Sequence, residues 1–334
     1  MDNCLECNKY MPKILHTYRY TGRPWEILKS VVPEGYEVKT LDTPTYEQLV
    51  KEAADADYFL VSGRLPIDKG VLDAAKKLKM IQRTGVGTEM LDKDEIKARG
   101  IPVYVNKGVN ARSVAEHTMA LMLACLKRIP AIDSQVRQGI WKKQETGTSC
   151  YELYGKTVGL VGMGAIGRQV AEYLKVFGAK IVYTDLCQLS YDYEQRLDAT
   201  YVSSLEEMLP YVDILSFHCP LTNDNKEILN ERTIAMMKSE SIVINTARGK
   251  LVDESALFEA LKTGKIRSAG LDVHYEEPID KDNHPLSTLG NVILSPHIGG
   301  LSYETFHTMM KDAVDNIIDF DKELFEKIRT KQIL

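Results

Sequence analysis

Two series of short apolar runs, each interleaved with helical patterns, constrain the fold of this chain most strongly. The first series contains "PKILHT", "YEVKT", "DYFLVSG", "LKMIQRTG" and "IPVYVN". The second begins after Gly155 with "KTVGLVG" and continues through "KIVYTD", "VDILSFHCP", "SIVINTARG", "RSAGLDV" and "NVILSPH". Because strands that alternate with helices pair in parallel, each series predicts its own doubly wound α/β sheet. A chain of 334 residues is long enough to bury two such cores.

Two further helical patterns lie outside this alternation. The segment "NARSVAEHTMALMLACLKRIPAIDSQVRQG" separates the two series, and "SYETFHTMMKDAVDNIIDF" follows the last strand. No strand comes after the second pattern, so we expect this helix to pack back on the first sheet. Its predicted apolar stripe consists of Tyr303, Phe306, Met310, Ala313 and Ile317.

Composition and charge exclude several classes of function. The net charge is −5 and the Lys and Arg residues are scattered, so the basic surface of a nucleic-acid-binding protein is not expected. The chain has no apolar run of the roughly 20 residues that span a bilayer, and its N-terminus lacks the features of a signal peptide. We therefore expect a soluble cytoplasmic protein with reduced cysteines. Cys4 and Cys7 have no second Cys/His pair nearby, so the sequence predicts no metal site.

A glycine fingerprint joins the first strand of the second series to the helix that follows it. In "GMGAIG", Gly162 allows a tight turn, Gly164 lets the backbone approach a pyrophosphate, and Gly167 lets the helix pack against the strand. Asp185 ends the next strand, where a carboxylate can accept the ribose hydroxyls and repel a 2′-phosphate. The segment after it has no Lys or Arg before Arg196. This context favours NAD over NADP, with a plain turn and an incidental Asp as the alternative.

Ionisable side chains follow several strands of the second series, at the sheet edge where α/β proteins bind ligands. Arg248 can hold a carboxylate with two N–H groups and polarise a carbonyl, although it can equally pair with Asp253 or Glu254. His297, in a glycine-containing loop with Gly299, suits proton delivery to a ketone during hydride transfer. One glutamate of "HYEEP" would orient this imidazole and favour its charged form. A purely structural loop histidine is the alternative.

Seven motifs together resemble the D-isomer-specific 2-hydroxyacid dehydrogenase family. They are "RTGVG", "NARSVAEHT", "GKTVGLVGMGAIGR", "HCPLT", "INTARGKLVDE", "AGLDVHYEEP" and "SPHIGG". The resemblance implies an α/β fold with two doubly wound parallel-sheet domains. A Rossmann NAD-binding domain, residues 108–299, would be inserted in a flavodoxin-like substrate domain, residues 1–107 and 300–334. It also implies a homodimer that forms through a helix at 113–133.

The resemblance further implies roles for individual residues. The family's catalytic arginine, glutamate and histidine fall on Arg248, Glu277 and His297. Backbone N–H groups of Val86 and Gly87 would bind the substrate carboxylate. The residues that would bind the cofactor or line its pocket are Gly162, Gly164, Ala165, Ile166, Gly167, Asp185, His218, Cys219, Thr246, Ala247, Arg248, Asp272, His297 and Gly299. His117, His274 and Glu276 are left without a functional role.

The expected activity is reversible hydride transfer between NAD and a small 2-oxo or (R)-2-hydroxy acid. Phosphoglycerate enzymes of the family typically carry an arginine where this chain has Ser62, which with Gly63 would contact the substrate. A phosphorylated substrate is therefore disfavoured, although Arg83 matches a cation of those enzymes. The alternatives are a short D-3-phosphoglycerate dehydrogenase, an NAD(H)-sensing corepressor-like binding protein and a relative that acts on a non-carbon substrate such as phosphite.

Overall fold

The computed structural model describes residues 10–63, 65–280 and 282–322. Cys4 and Cys7 lie outside the described residues. The chain divides into two compact units: unit 1 runs to Asn110 and resumes at Tyr303, and unit 2 is Ala111–Ser302. No helix within the described ranges is long and apolar enough to cross a membrane.

Strands and helices alternate along most of the described chain. The strands are β1 Lys13–His16, β2 Glu37–Thr40, β3 Tyr58–Val61, β4 Met80–Arg83, β5 Val103–Val105, β6 Thr157–Val161, β7 Lys180–Thr184, β8 Ala199–Tyr201, β9 Ile214–Phe217, β10 Ser241–Asn245, β11 Ile266–Leu271 and β12 Val292–Leu294. The helices are α1 Arg23–Val31, α2 Tyr46–Ala53, α3 Lys69–Ala74, α4 Lys93–Ala98, α5 Ala111–Lys127, α6 Ile129–Arg137, α7 Lys143–Thr148, α8 Ala165–Val176, α9 Tyr191–Leu197, α10 Leu205–Met208, α11 Glu231–Met236, α12 Glu254–Thr263 and α13 Tyr303–Asp321. Short 3-10 turns span Gly249–Leu251 and Pro285–Thr288.

Unit 1 is a parallel sheet with the strand order β2-β1-β3-β4-β5, which is the order of the flavodoxin-like domain that the family resemblance implied. Helices α2, α3 and α4 cover one face, while α1 and α13 cover the other. Met310, Ala313 and Ile317 of α13 are fully buried, as predicted. Tyr303 is half-exposed instead, because it starts the helix and the Arg23 guanidinium lies over its ring. The strand order reverses between β1 and β3, where α/β sheets bind ligands.

Unit 2 is a parallel sheet with the strand order β12-β11-β10-β9-β6-β7-β8. Its strands from β11 to β8 reproduce the Rossmann order, so the predicted Rossmann fold is confirmed. Apolar clusters lie on both faces, one under α10, α11 and α12 and one under α5 and α8. The sequence did not predict β8, which is a three-residue edge strand. The strand order reverses between β6 and β9, next to the glycine turn.

The predicted continuous helix at 113–133 is wrong. Helix α5 ends at Lys127, Arg128 takes a left-handed φ of 55°, and α6 starts at Ile129. The cause is Pro130, which lacks an N–H and whose ring would clash with the carbonyl group four residues earlier in a continuous helix. In the first turn of a new helix that missing N–H costs nothing, so the proline begins α6 rather than interrupting α5.

Candidate active site

The turn after β6 has the close backbone packing of a dinucleotide site. Gly162 has a φ of 101°, and a Cβ there would lie 2.8 Å from the backbone N of Cys219, which follows β9. A Cβ on Gly167 would collide with the Gly162 carbonyl oxygen, so the helix can approach the strand only with glycine here. By contrast, no described heavy atom lies within 4 Å of a Cβ built on Gly164. The turn therefore packs closely against the protein at Gly162 and Gly167, whereas the space beside Gly164 is open to a ligand.

Helix α8 begins at this turn and supplies the groups that bind an anion. Its N-cap is Gly164, and no described side chain caps the helix. The N–H groups of Ala165 and Ile166, in the first turn, lack intrahelical acceptors and lie at the positive end of the helix dipole. These groups suit a pyrophosphate.

Asp185 follows β7 beside the same turn. One carboxylate oxygen accepts the Met163 N–H at 2.6 Å, which fixes the side chain against the glycine turn. The other oxygen accepts only a long hydrogen bond of 3.3 Å from the Cys187 N–H, so it can accept ribose hydroxyls. Arg196 pairs with Glu172 at 3.1 Å. This arrangement fits NAD.

His218 and Cys219 follow β9, on the other side of the strand reversal, and both are uncharged. Burial lowers the pKa of His218 to about 3 and raises the pKa of the Cys219 thiol to about 11. The His218 Nε2 lies 2.9 Å from the Ser216 hydroxyl. The two side chains thus form an uncharged surface next to the glycine turn. Uncharged side chains are better suited to lining a cofactor pocket than to transferring protons.

The turn after β10 orients Arg248. Asn245 closes this turn, since its side chain donates to the Arg248 carbonyl at 2.9 Å and accepts the Ala247 N–H at 3.0 Å. Thr246 is anchored by a 2.9 Å hydrogen bond to the Thr118 hydroxyl of α5. The Arg248 guanidinium is half-buried and donates one N–H to the Ala247 carbonyl at 2.7 Å.

The two carboxylates that the sequence offered as alternative partners of Arg248 have other tasks. Asp253 caps α12, where one oxygen accepts two backbone N–H groups of the first turn. Glu254 accepts the Tyr275 N–H at 2.8 Å.

The structure brings Glu277 and His297 together. One Glu277 oxygen lies 2.9 Å from the His297 Nδ1, and the other accepts the His274 N–H at 2.9 Å. Because a carboxylate only accepts, the His297 Nδ1 carries a proton, and Nε2 is the nitrogen available for proton exchange. The His297 side chain is 45% exposed and can reach a ligand. Glu276 is exposed, so the structure selects Glu277 from the two adjacent glutamates.

Asp272 holds the loop that carries the histidine. One of its oxygens accepts the Ser295 hydroxyl at 2.6 Å and the Ile298 N–H at 2.9 Å, while the other accepts the Gly299 N–H at 2.8 Å. The His117 Nε2 lies 2.9 Å from the Ser295 hydroxyl and 3.3 Å from Asp272. The carboxylate thus binds the loop on both sides of His297, and its contact with the nicotinamide stays a prediction.

The hydrogen bonds keep Asp272 ionised. Burial alone would raise the pKa of this carboxyl group, but the donors from His117, Ser295, Gly299 and Ile298 outweigh it and lower the pKa to about 2. His297 needs this support because its φ of 58° is unfavourable for a residue with a side chain. The sequence did not predict the tasks of His117 and Ser295. A prediction that β11 and β12 are adjacent would have placed Ser295 beside Asp272.

We predict that Asp272→Asn destabilises unit 2 by at least about 1.5–3 kcal/mol, since hydrogen bonds to charged groups each contribute about that amount. The folded pKa lies below the ordinary Asp value, so the carboxylate stabilises fully above about pH 3.9 and loses this effect as the pH falls through about 2. The difference in unfolding free energy between wild type and variant should therefore narrow over that range. Denaturant titrations at several pH values measure it, and a constant difference would contradict the role of Asp272.

In unit 1 the predicted Ser62 and Gly63 follow β3, at the strand reversal. The Ser62 hydroxyl lies 2.6 Å from the His16 Nε2, and the His16 Nδ1 lies 3.0 Å from the Tyr18 carbonyl oxygen. The carbonyl only accepts, so Nδ1 carries the proton and Ser62 donates to Nε2. Burial lowers the pKa of His16 to about 3, which keeps it neutral. The sequence did not predict His16 as the partner of Ser62. Gly63, the next residue, has a φ of 76°, which glycine adopts more readily than other residues.

The turn after β4 contains Val86 and Gly87. Arg83 braces it, because its Nε donates to the Gly87 carbonyl at 2.6 Å and one terminal N–H donates to the Val61 carbonyl at 3.0 Å. Val86 is 45% exposed. Two donors of the Arg83 guanidinium therefore bind carbonyl groups of the protein. The predicted substrate-binding residues lie at one edge of the unit 1 sheet, namely Ser62, Gly63, Val86 and Gly87.

Comparisons with known proteins agree with this geometry. A family model described as D-isomer specific 2-hydroxyacid dehydrogenase, NAD binding domain, matches residues 119–299. Glyoxylate reductase from Korarchaeum cryptofilum is 38% identical over 298 residues, which cover 88% of this chain and 89% of that protein. D-3-phosphoglycerate dehydrogenase from Methanocaldococcus jannaschii is 40% identical over 275 residues, which cover 82% of this chain and 51% of that protein. This chain thus spans about half the length of the phosphoglycerate enzyme.

A solved structure gives the same result for the fold. D-lactate dehydrogenase from Aquifex aeolicus, complexed with NAD and lactic acid, has a TM-score of 0.82 and 29% identity. The match covers 95% of this chain and 97% of that chain. The chain therefore belongs to the D-isomer-specific 2-hydroxyacid dehydrogenase family, and it is an NAD-dependent oxidoreductase that acts on the CH–OH group.

Proposed function

We propose that this protein reduces a small, unphosphorylated 2-oxo acid with NADH and catalyses the reverse oxidation of the (R)-2-hydroxy acid. The observation that carries the proposal is the 2.9 Å hydrogen bond between Glu277 and the His297 Nδ1. NADH supplies the hydride to C2 of the substrate. The His297 Nε2 gives a proton to the carbonyl oxygen during reduction and takes it back during oxidation. Glu277 orients the imidazole and stabilises its charged form.

Arg248 is proposed to bind the substrate carboxylate and the carbonyl oxygen together. A guanidinium presents parallel N–H groups, and the turn that Asn245 closes fixes the backbone from which it projects. Negative charge grows on the carbonyl oxygen as hydride arrives, so a fixed cation stabilises the transition state more than the ground state. Backbone N–H groups of Val86 and Gly87 are proposed to bind the substrate carboxylate as well.

The cofactor roles proposed for unit 2 follow from its glycine turn. Gly162, Gly164 and Gly167 give the pyrophosphate access to the first turn of α8, and Ala165 and Ile166 donate N–H groups to it. The residues proposed to complete the pocket are Asp185 at the ribose, His218 and Cys219 at the adenine side, and Thr246, Ala247, Arg248, Asp272, His297 and Gly299 at the nicotinamide side. Unit 1 is proposed to be the substrate domain.

The surroundings of Ser62 support an unphosphorylated substrate. Ser62 stands at the strand reversal of unit 1, where its partner His16 is neutral and adds no positive charge. A phosphate dianion needs cations or several N–H donors. The glyoxylate reductase relative, which matches this chain over most of both lengths, supports the same conclusion. Glyoxylate and hydroxypyruvate are the substrates of this class that we would test first.

A D-3-phosphoglycerate dehydrogenase of the short type is the second candidate. It is favoured by the 40% identity to the relative of that name and by Arg83 beside the Val86–Gly87 turn. Arg83 donates to two carbonyl groups, however, which limits what it can offer to a phosphate.

A substrate panel tests the proposal. NADH oxidation should be followed with glyoxylate, hydroxypyruvate, pyruvate, 3-phosphohydroxypyruvate and a branched 2-oxo acid. We expect the highest kcat/KM with glyoxylate or hydroxypyruvate. A preference for the phosphorylated acid would establish the second candidate, and NADH binding without oxidation of any substrate would support a sensor.

We also propose a cytoplasmic homodimer. The described α6 and the segment after it expose apolar side chains of a kind that subunit interfaces cover, namely Ile129, Val136, Ile140 and Trp141. The dimer is therefore expected to use α5 and α6. Light scattering should give twice the monomer mass for the wild type and a lower mass for Val136→Asp combined with Trp141→Asp. A monomeric wild type would refute the dimer.

A further inference from the structure

Three possible metal ligands meet behind the proposed acid–base pair. Glu254 begins α12, His274 follows β11, and His284 precedes the 3-10 turn at Pro285–Thr288. One ligand atom from each lies within 4.8 Å of the others. His274 and His284 are only 6% and 8% exposed. None of the three has a task in the proposed reaction.

The protonation of His274 is fixed by its surroundings. Its Nε2 lies 3.0 Å from the Ser295 carbonyl oxygen, which only accepts, so Nε2 carries the proton. The Nδ1 atom is then an unprotonated nitrogen with a free lone pair. It is buried and has no hydrogen-bond partner among the described residues. A histidine that donates one N–H to a backbone carbonyl and points a bare nitrogen inward has the arrangement of metal-binding histidines.

His284 has an even less satisfied environment. Both ring nitrogens are buried without a hydrogen-bond partner in the described part of the chain. Its Nε2 lies 3.6 Å from one Glu254 oxygen, which is too long for a hydrogen bond. Buried polar groups are nearly always paired, so unpaired nitrogens on two neighbouring histidines need an explanation. The ring centroids are 5.5 Å apart, and the rings meet edge to face.

Glu254 supplies the negative charge that a cation needs. One of its oxygens accepts the Tyr275 N–H at 2.8 Å, which fixes the carboxylate beside the two imidazoles. The other oxygen is the one nearer to His284. Imidazole binds a metal in its neutral form, so two histidines and one carboxylate would form a donor set with a single negative charge.

We propose that Glu254, His274 and His284 bind a divalent transition-metal ion, with Zn²⁺ as the favoured ion. Imidazole nitrogens with one carboxylate suit Zn²⁺, whereas Mg²⁺ and Ca²⁺ prefer oxygen ligands. With metal–ligand distances of about 2.0–2.2 Å, the ligand atoms must move closer together than they now lie, which side-chain rotation provides. A water molecule completes the tetrahedron. The sequence predicted no metal site because the three ligands are distant along the chain.

The ion acts on the positions of other residues and takes no part in proton or hydride transfer. The backbone N–H of His274 donates to the Glu277 carboxylate. The ring Nε2 of His274 donates to the carbonyl of Ser295, which lies two residues before His297. A metal on the His274 Nδ1 therefore fixes the backbone that positions both members of the proposed acid–base pair. It also ties the start of α12 to the loop that contains His284.

Metal titration of the full chain tests the site. Protein stripped with a chelator is titrated with Zn²⁺ in competition with a chromophoric chelator, and with Co²⁺ while its visible spectrum is recorded. We expect one ion per chain, and a Co²⁺ spectrum of nitrogen and oxygen ligands without a thiolate charge-transfer band. The chain has six cysteines, so a thiolate band would assign the ion to them and overturn the proposal. The absence of stoichiometric binding would overturn it equally.

Matched substitutions locate the ion. Glu254→Gln and His284→Gln should each weaken Zn²⁺ binding by at least about 100-fold, since even loss of an outer partner of a ligand costs about 10–100-fold. His307→Gln, on α13, removes a histidine elsewhere and should bind Zn²⁺ as the wild type does. Equal affinity in all three variants would refute the site. Circular dichroism checks their folding, and the wild-type Co²⁺ spectrum decides the question if a variant does not fold.

Discussion

Replacement of His297 by alanine is expected to lower kcat for 2-oxo acid reduction by about 10²–10⁴-fold, the usual effect of a general acid or base. Hydride arrival leaves charge on the carbonyl oxygen, and without His297 only water can protonate it. Affinity for NADH should fall much less than kcat, because His297 would contact only the nicotinamide side, whereas the glycine turn and the first turn of α8 lie elsewhere in unit 2. Steady-state rates and an NADH fluorescence titration measure the two effects separately.

A second histidine provides the control for this experiment. His307→Ala, on α13, should keep the wild-type kcat. Full activity in His297→Ala would exclude His297 as the proton donor. A loss of NADH affinity equal to the loss of rate would mean that the substitution disrupts the cofactor pocket instead.

Substitution of Arg248 should have the next largest effect. Arg248→Lys keeps the charge but loses the parallel N–H groups, so we expect KM for the 2-oxo acid to rise and kcat to fall together. Loss of one donor to a developing oxyanion costs about 10²–10³-fold in kcat, and Arg248→Ala should reach that range. Steady-state kinetics with varied 2-oxo acid measure both constants.

Lys250→Ala is the matched control for Arg248, because this cation lies two residues further along the chain and is exposed. Its kinetic constants should remain those of the wild type. If Arg248→Lys retains the wild-type kcat/KM, the guanidinium does not clamp the substrate, and the carboxylate must be bound by other groups.

Local signals in the sequence predicted much of the fold and the cofactor turn. The apolar strands appear at their expected places, and Gly162 and Gly167 are glycines because a Cβ would meet the backbone that follows β9 or the backbone of the turn itself. The spacing predicted a carboxylate at Asp185 beside this turn, and the structure places it there. Each of these features depends on residues close in sequence or on strand order, which βαβ rules largely determine.

Features that depend on contacts between distant segments could not be predicted. Asp272, Ser295 and His117 come from three separate elements. The pairing of β11 with β12 places the first two side by side, and the packing of α5 on these strands adds His117. Likewise, nothing in the sequence near Ser62 indicates that His16 is its partner. The helix break at Arg128 had a local cause in Pro130, but the apolar pattern obscured it.

The proposed metal site was even harder to predict, because its ligands Glu254, His274 and His284 are also distant in the sequence. Each residue has an ordinary local explanation: a helix-start acid, a loop histidine and a residue before proline. Only the folded chain places their ligand atoms within 4.8 Å of one another. Spacing motifs for metals detect ligands that are close in sequence, and this set is spread over about 30 residues.

The kcat of Glu277→Gln compared with that of Glu276→Gln tests the acid–base pair most directly. Glutamine at 277 can still accept a hydrogen bond from the His297 Nδ1–H but cannot stabilise the charged imidazole, so we expect kcat to fall by about 10²-fold or more. Glu276 is exposed, and its variant should retain the wild-type kcat. Equal rates in the two variants, or a greater loss in Glu276→Gln, would contradict the assignment of Glu277 to His297.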